Sequence, residues 1–86
     1  MNSRYYAIKN GAATLQPNGS YLTNDNITVW FNDLGQYHRL DGPAITYNNT
    51  SRLCWYISGN NYTINTYLKL TPIPDEQKLL LRLQYE

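Results

Sequence analysis

The chain contains one histidine, His38, and one cysteine, Cys54, and these are the residue types best suited to covalent chemistry. A thiol beside an imidazole makes a nucleophile with its base, and groups of such side chains bind metal ions. The sequence contains no glycine-rich phosphate loop and no cluster of carboxylates, and neither residue has a second metal ligand at a recognisable spacing. We therefore expect a non-enzymatic protein with no catalytic residue, metal or cofactor, in which Cys54 is a small packed side chain.

Imidazole, guanidinium and carboxylate groups follow one another closely at His38, Arg39 and Asp41. Asp41 can accept hydrogen bonds from nearby backbone N–H groups, Gly42 can adopt a conformation closed to other residues, and Pro43 fixes φ before the next strand. This pattern predicts a structural turn built by Asp41, Gly42 and Pro43. The alternative is a polar binding site formed by His38, Arg39 and Asp41.

Composition sets limits on the partner and the compartment. A net charge of +1, with 15% charged residues, gives no long-range field to attract nucleic acid or an acidic substrate. A single cysteine suits a reducing compartment, and the sequence shows no signal peptide and no apolar run long enough to span a bilayer. We expect a cytoplasmic protein that does not enter a membrane.

Short runs rich in aromatic and β-branched residues alternate with glycine up to Ile57, as in consecutive antiparallel strands. The expected strands are Tyr5 to Lys9, Ile27 to Phe31, Ala44 to Tyr47 and Arg52 to Ile57. The expected tight turns are Asn10-Gly11, Asn18-Gly19, Asp41-Gly42 and Ser58-Gly59, because these pairs tolerate positive φ. Strand alternation then places Ile27, Val29 and Phe31 on one face, and Leu53, Trp55 and Ile57 opposite Cys54 and Tyr56.

An aromatic pair followed by a glycine recurs at even spacing along the chain, at Tyr5-Tyr6, Trp30-Phe31 and Trp55-Tyr56. Evenly spaced copies of one short pattern indicate supersecondary units that bury a face only against their neighbours. We therefore predict a three-fold repeat of one such unit. The first copy is the poorest match, and it is either a terminal capping unit or a chance match of aromatic residues and glycine.

Helical spacing begins after the last of these copies. Ile64, Tyr67 and Leu68 share one helix face behind a capping Thr63, which predicts a helix over 63–70. A second helix is expected from Pro74 to about Gln84, since proline fits the first helical turn. The predicted fold class is α+β, in a single domain over 1–86: a small antiparallel β-meander of hairpin repeats over 1–62, then two short helices over 63–86 on or beside the sheet.

The run Gly35-Gln-Tyr-His-Arg-Leu-Asp-Gly-Pro-Ala44, followed by Trp55-Tyr-Ile-Ser-Gly59, resembles a known repeat family. These are the His-Arg-x-Asp-Gly-Pro-Ala hairpin repeats related to MORN motifs, which are common in proteins of tailed phages and large DNA viruses. The match covers roughly residues 29–63. The resemblance implies a β-hairpin scaffold that binds a partner, and a phage-encoded protein would act in the host cytoplasm.

The aromatic and leucine side chains are more numerous than a core of this size can bury completely. The candidate partner-binding residues are Trp30, Tyr37, His38, Arg39, Tyr47, Tyr56, Leu79 and Leu81. The alternative is that the aromatic side chains fill one face of the sheet beneath the helices.

Three functions remain in competition at this point. The first is an accessory protein that binds and inhibits a host protein, with a defence system such as CRISPR as the case that the resemblance suggests. The second is a module for single-stranded nucleic acid, in which aromatic side chains stack on bases, although affinity for phosphates needs more positive charge. The third is a structural, virion-associated protein that forms a homodimer through the leucine-rich C-terminal helix.

Overall fold

The computed structural model describes Tyr5, Ile8, Gly11 and residues 13–85. It confirms the α+β class: a six-stranded antiparallel meander, in which each strand pairs with the next along the chain, precedes two helices. The strands are β1 (Ala13–Leu15), β2 (Tyr21–Thr23), β3 (Ile27–Val29), β4 (Ile45–Tyr47), β5 (Arg52–Ile57) and β6 (Asn60–Tyr62). The helices are α1 (Ile64–Leu70) and α2 (Asp75–Tyr85).

The sequence predicted the longest strand and both helices best. The strand Arg52–Ile57 is confirmed to the residue, and α1 begins directly after Thr63, whose side chain accepts a hydrogen bond from the Thr66 N–H. The strand predicted from Tyr5 to Lys9 is wrong at Tyr5 and Ile8, which are helical, and its other residues lie outside the described part of the chain. Three further strands, β1, β2 and β6, were not predicted from the sequence, and each is only three residues long.

The long strand β5 joins two hairpins. Its first half pairs with β4, where Thr46 lies opposite Leu53, and its second half pairs with β6, where Trp55 lies opposite Tyr62. The turn between β5 and β6 has Ser58 at φ 49° and Gly59 at φ 84°, the left-handed pair that a two-residue hairpin turn requires. The predicted Ser58-Gly59 turn is therefore confirmed.

The two faces of the sheet are covered by different parts of the chain. On one face, Ile27, Val29 and Ile45 pack with Ile8, and partly buried aromatic side chains surround them. On the other face, Trp55 packs with residues of both helices. Because the side chains of β5 alternate, this one strand contributes to both cores, as the sequence pattern predicted.

The helices lie against the β5–β6 side of the sheet. Tyr67 and Leu68 of α1 and Leu81 of α2 are buried there, and the ring of Trp55 lies 5.0 Å from that of Tyr67. In the described part of the chain, neither helix has the length and apolar character needed to cross a bilayer.

Candidate protein-binding surface

The segment from Arg39 to Ala44, called the corner below, is organised around the guanidinium of Arg39. Its Nε donates to Asp41 Oδ1 at 2.9 Å, and its Nη1 donates to the Pro43 carbonyl at 3.2 Å. Its Cζ lies 4.5 Å from the centroid of the Trp30 ring, which is close enough for a cation–π interaction. The same side chain is thus held by an ion pair, a backbone carbonyl and an aromatic ring.

Helix α1 fixes the backbone of the corner from the other side. The Tyr67 hydroxyl donates to the Arg39 carbonyl at 2.6 Å and accepts from the Gly42 N–H at 3.2 Å. The Thr71 hydroxyl donates to the Leu40 carbonyl. Both hydroxyls belong to buried residues, and burial raises the pKa of Tyr67, an effect that the hydrogen bond from Gly42 partly offsets. The corner is therefore a structural junction between the sheet and α1.

Gly42 is required for a reason other than the predicted one. Its φ is not among the positive values found at Gly11, Gly19, Gly35 and Gly59, so it does not occupy the conformation closed to other residues. Instead, a Cβ added at Gly42 would lie 2.7 Å from Arg39 Cζ. The missing side chain makes room for the guanidinium, which is a requirement of packing and not of backbone conformation.

His38 and Cys54 each have a place in the scaffold. His38 Nδ1 accepts a hydrogen bond from the Ser58 N–H at 2.9 Å, so it links the residue just before the corner to the turn between β5 and β6. The partner of Nδ1 places the proton of the neutral ring on Nε2. Cys54 is partly buried against the core formed by Ile27, Val29 and Ile45, as the sequence analysis expected of a small packed residue.

The aromatic candidates lie within or beside the two cores. Tyr37, Tyr47 and Tyr56 pack against the core of Ile27, Val29 and Ile45, and Tyr37 lies 5.1 Å from Tyr56 between ring centroids. Trp30 is half-buried beneath Arg39. These rings pack on other parts of the chain, so the sheet presents them to a partner only in part.

Helix α2 brings three exposed leucines together on one element. Leu79, Leu80 and Leu83 are 57%, 58% and 74% exposed, whereas Leu81 is 8% exposed and packs with Trp55 and Tyr67. Leu79 therefore remains a candidate contact, but Leu81 is a core residue. At 100° per residue, Leu79, Leu80 and Leu83 fall within one arc of about 100° and Leu81 points away from it. The candidate set missed Leu80 and Leu83, although the helical phase of α2 contains the signal that separates them from Leu81.

Several positive charges are engaged within the fold. Arg39 is held in the corner, Arg52 lies 5.6 Å above the Tyr47 ring, and Arg82 donates to Asn65 Oδ1 at 3.0 Å. Side chains committed in this way contribute less to phosphate binding than mobile ones would. These three arginines of the described residues thus give no specific support for a nucleic-acid interface.

Metal ligands and similarity to known proteins were considered as further guides to the site. Among the residues that the structure describes, no three histidine, cysteine, aspartate or glutamate side chains come together as metal ligands. Comparison with known proteins gives no match to a family model, to a curated protein or to a solved structure.

Proposed function

We propose that the chain is a small protein-binding module that inserts the outward face of α2 into an apolar groove of a partner protein. The observation that carries this proposal is the exposure of Leu79, Leu80 and Leu83 on one arc of a helix whose opposite side is buried in the core. Exposed leucines on one arc form a contiguous apolar patch, and such patches mark interaction sites.

The spacing of the exposed side chains fits a known mode of recognition. Leu79, Leu80 and Leu83 stand at positions i, i+1 and i+4 and share one face of α2, as the apolar side chains of an amphipathic helix do when it enters a groove. Leu81, on the opposite side, holds α2 on the sheet. The helix is therefore presented in a fixed orientation, which reduces the entropy lost on binding.

The size of α2 favours a groove over a second copy of the chain. Eleven residues make a helix of about 16 Å, and one side of such a cylinder has an accessible area on the order of 300 Å². Stable interfaces bury about 800 Å² per partner, so two α2 helices laid side by side fall well short of that area. A groove that encloses the helix on two sides and reaches neighbouring parts of the chain buries more.

The resemblance of the segment Gly35 to Ala44 to repeats of tailed phages and large DNA viruses supports a host protein as the partner. Modulation of that protein, in the simplest form inhibition, is the proposed outcome of binding. A CRISPR effector is one candidate host target. The half-buried positions of Tyr37, Tyr47 and Tyr56 make the sheet face a weaker choice of contact surface.

The experiment compares two leucines of equal exposure. Leu83 on α2 and Leu34 in the turn after β3 are both 74% exposed, so Leu83→Asp and Leu34→Asp remove the same apolar area and add the same charge. Each variant and the natural chain would be immobilised and exposed to lysate of a bacterial host, and the captured proteins identified by mass spectrometry. We expect capture of one partner by the natural chain and by Leu34→Asp, and loss of about tenfold or more with Leu83→Asp.

Two further readouts test the rest of the proposal. The activity of the captured protein, or plasmid interference if it is a CRISPR effector, should fall when the natural chain is added and should not fall with Leu83→Asp. Equal loss of capture in both variants would contradict docking through α2. Sedimentation showing a dimer that dissociates in Leu83→Asp would assign the same face to a second copy.

A further inference from the structure

A groove lies on the helix-covered side of the sheet, next to the C-terminal end of α2. It has a volume of about 430 Å³ and is lined by Thr46, Asn48, Ser51, Leu53, Gln84 and Tyr85. This volume is within the range of small-molecule sites. The groove lies where the β4–β5 hairpin meets the C-terminal end of α2, so the sheet forms one wall and the helix end forms another.

The floor of the groove is set by strand register. Thr46 lies opposite Leu53 on β5 and opposite Thr28 on β3, so these side chains form a row on one face of the sheet. Asn48 donates through Nδ2 to Thr28 Oγ1 at 3.0 Å, which holds its amide in place. This bond leaves Asn48 Oδ1 with its capacity to accept.

The wall formed by α2 also has hydrogen-bonding groups that are held in place by a neighbouring side chain. Gln84 Nε2 lies 3.2 Å from the Tyr85 hydroxyl, which accepts the hydrogen bond and so retains its own proton as a donor. The Tyr85 ring packs edge-on against Trp55 with centroids 5.5 Å apart. The ring is therefore anchored by the core, and its hydroxyl and the neighbouring amide are held at the edge of the groove.

Charge decides which class of ligand fits. All six lining residues are uncharged. Arg52 lies between Ser51 and Leu53 in sequence, but strand alternation directs it to the opposite face, where its guanidinium lies above Tyr47. An anionic ligand would lose water in the groove without gaining a cationic partner among these six residues, which is unfavourable.

We infer that this groove binds a neutral, hydroxyl-rich ligand, namely a sugar ring. Its hydroxyl and amide groups can both donate and accept hydrogen bonds, which matches the hydroxyls of a sugar. Leu53 and the Tyr85 ring supply the apolar area on which the C–H faces of a sugar can pack. The inference does not depend on the proposed docking of α2.

Nuclear magnetic resonance of the isotopically labelled full chain provides the test. Glucose, galactose and N-acetylglucosamine would be added separately, and the amide signals followed to saturation. We expect at least one of these sugars to shift the side-chain amides of Asn48 and Gln84 and the backbone amides of Ser51 and Leu53 in a saturable manner. Glucose 6-phosphate should bind no more tightly than glucose.

A matched pair of glutamines on α2 provides the control. Gln84 lines the groove and Gln77 does not, and both are exposed. Gln84→Ala should weaken sugar binding several-fold, and Gln77→Ala should leave it unchanged. Thr46→Val should also weaken binding, while its spectrum remains that of a folded protein. The inference is overturned if none of the three sugars gives saturable shifts, if both glutamine variants behave alike, or if the phosphorylated sugar binds more tightly.

Discussion

The corner and the outward face of α2 belong to one small scaffold, but they differ in how many of their side chains are in contact with other parts of the chain. In the corner, the guanidinium of Arg39 and the backbone carbonyls around it find their partners inside the chain. On α2, three leucines are more than half exposed. A region that is satisfied internally maintains shape, whereas unburied apolar area still has free energy to gain from a contact. The motif with the most specific sequence is therefore not the surface best suited to a partner.

The sharpest way to test this division is within α2 itself. Leu81→Ala should lower the free energy of unfolding by about 3 kcal/mol, because Leu81 is 8% exposed and its truncation leaves a cavity beside Trp55. Leu83→Ala, at a site that is 74% exposed, should change it by no more than about 0.5 kcal/mol. Urea unfolding followed by tryptophan fluorescence measures both. Similar losses in the two variants would show that α2 packs through a different face.

The next largest effect is expected where the corner meets α1. Tyr67→Phe keeps the ring but removes the donor to the Arg39 carbonyl and the acceptor for the Gly42 N–H. Leaving these buried backbone groups without partners should cost about 2 kcal/mol. Tyr47→Phe is the control: Tyr47 is partly buried against the core of the opposite sheet face, and its substitution should cost less than about 0.5 kcal/mol. If Tyr67→Phe lowers the free energy of unfolding no more than Tyr47→Phe does, the corner is not a structural junction between the sheet and α1.

A smaller effect should come from filling the space that Gly42 leaves open. In Gly42→Ala the new Cβ would lie 2.7 Å from Arg39 Cζ, and the guanidinium cannot move without weakening its bonds to Asp41 and Pro43. We expect a loss of about 1–2 kcal/mol. In an Arg39→Ala background the same substitution should cost much less, so a double-mutant cycle measures the coupling. Additive losses would contradict the packing explanation.

The sequence predicted the long secondary-structure elements better than the short ones, for physical reasons. Local signals identified both helices and β5, since Thr63 caps α1 and the apolar residues of β5 alternate over six residues. Three-residue strands such as β1 and β6 contain too few residues for alternation to be visible, and they exist because a neighbouring strand pairs with them. Local signals also predicted a strand that is not there: the aromatic pair beginning at Tyr5 suggested a strand, but Tyr5 and Ile8 are helical.

The candidate site was predicted in part, for the same reasons. Residue types predicted a turn at Asp41 and Pro43, but Asp41 accepts from the Arg39 guanidinium where a backbone N–H donor was predicted. The space that Gly42 provides depends on the conformation of the Arg39 side chain, which the Trp30 ring helps to fix. Which leucines of α2 remain exposed depends on the side of the helix that meets Trp55. Helical periodicity shows which leucines share a face of α2. Only the packing of α2 on the sheet decides which of these faces is buried.

The smallest predicted effect depends on pH and again separates the corner from α2. Burial raises the pKa of Tyr67 above its ordinary value of 10.0 in the folded chain. Well below pH 10.0 the hydroxyl is neutral in both the folded and the unfolded chain, and its contribution to stability is complete. As the pH rises further, the unfolded chain releases this proton first, so the free energy of unfolding falls through the folded-state pKa.

Urea unfolding at a series of pH values, from neutral to above the ordinary tyrosine pKa, measures this fall. Tyr67→Phe has no proton to release at that position, so the stability gap between the natural chain and Tyr67→Phe should narrow in the alkaline range. Leu83→Ala provides the comparison on α2 and should follow the natural chain at every pH, because it leaves the corner intact. A gap to Tyr67→Phe that stays constant with pH would mean that the Tyr67 hydroxyl is solvated, and its bonds to Arg39 and Gly42 would then contribute little to the fold.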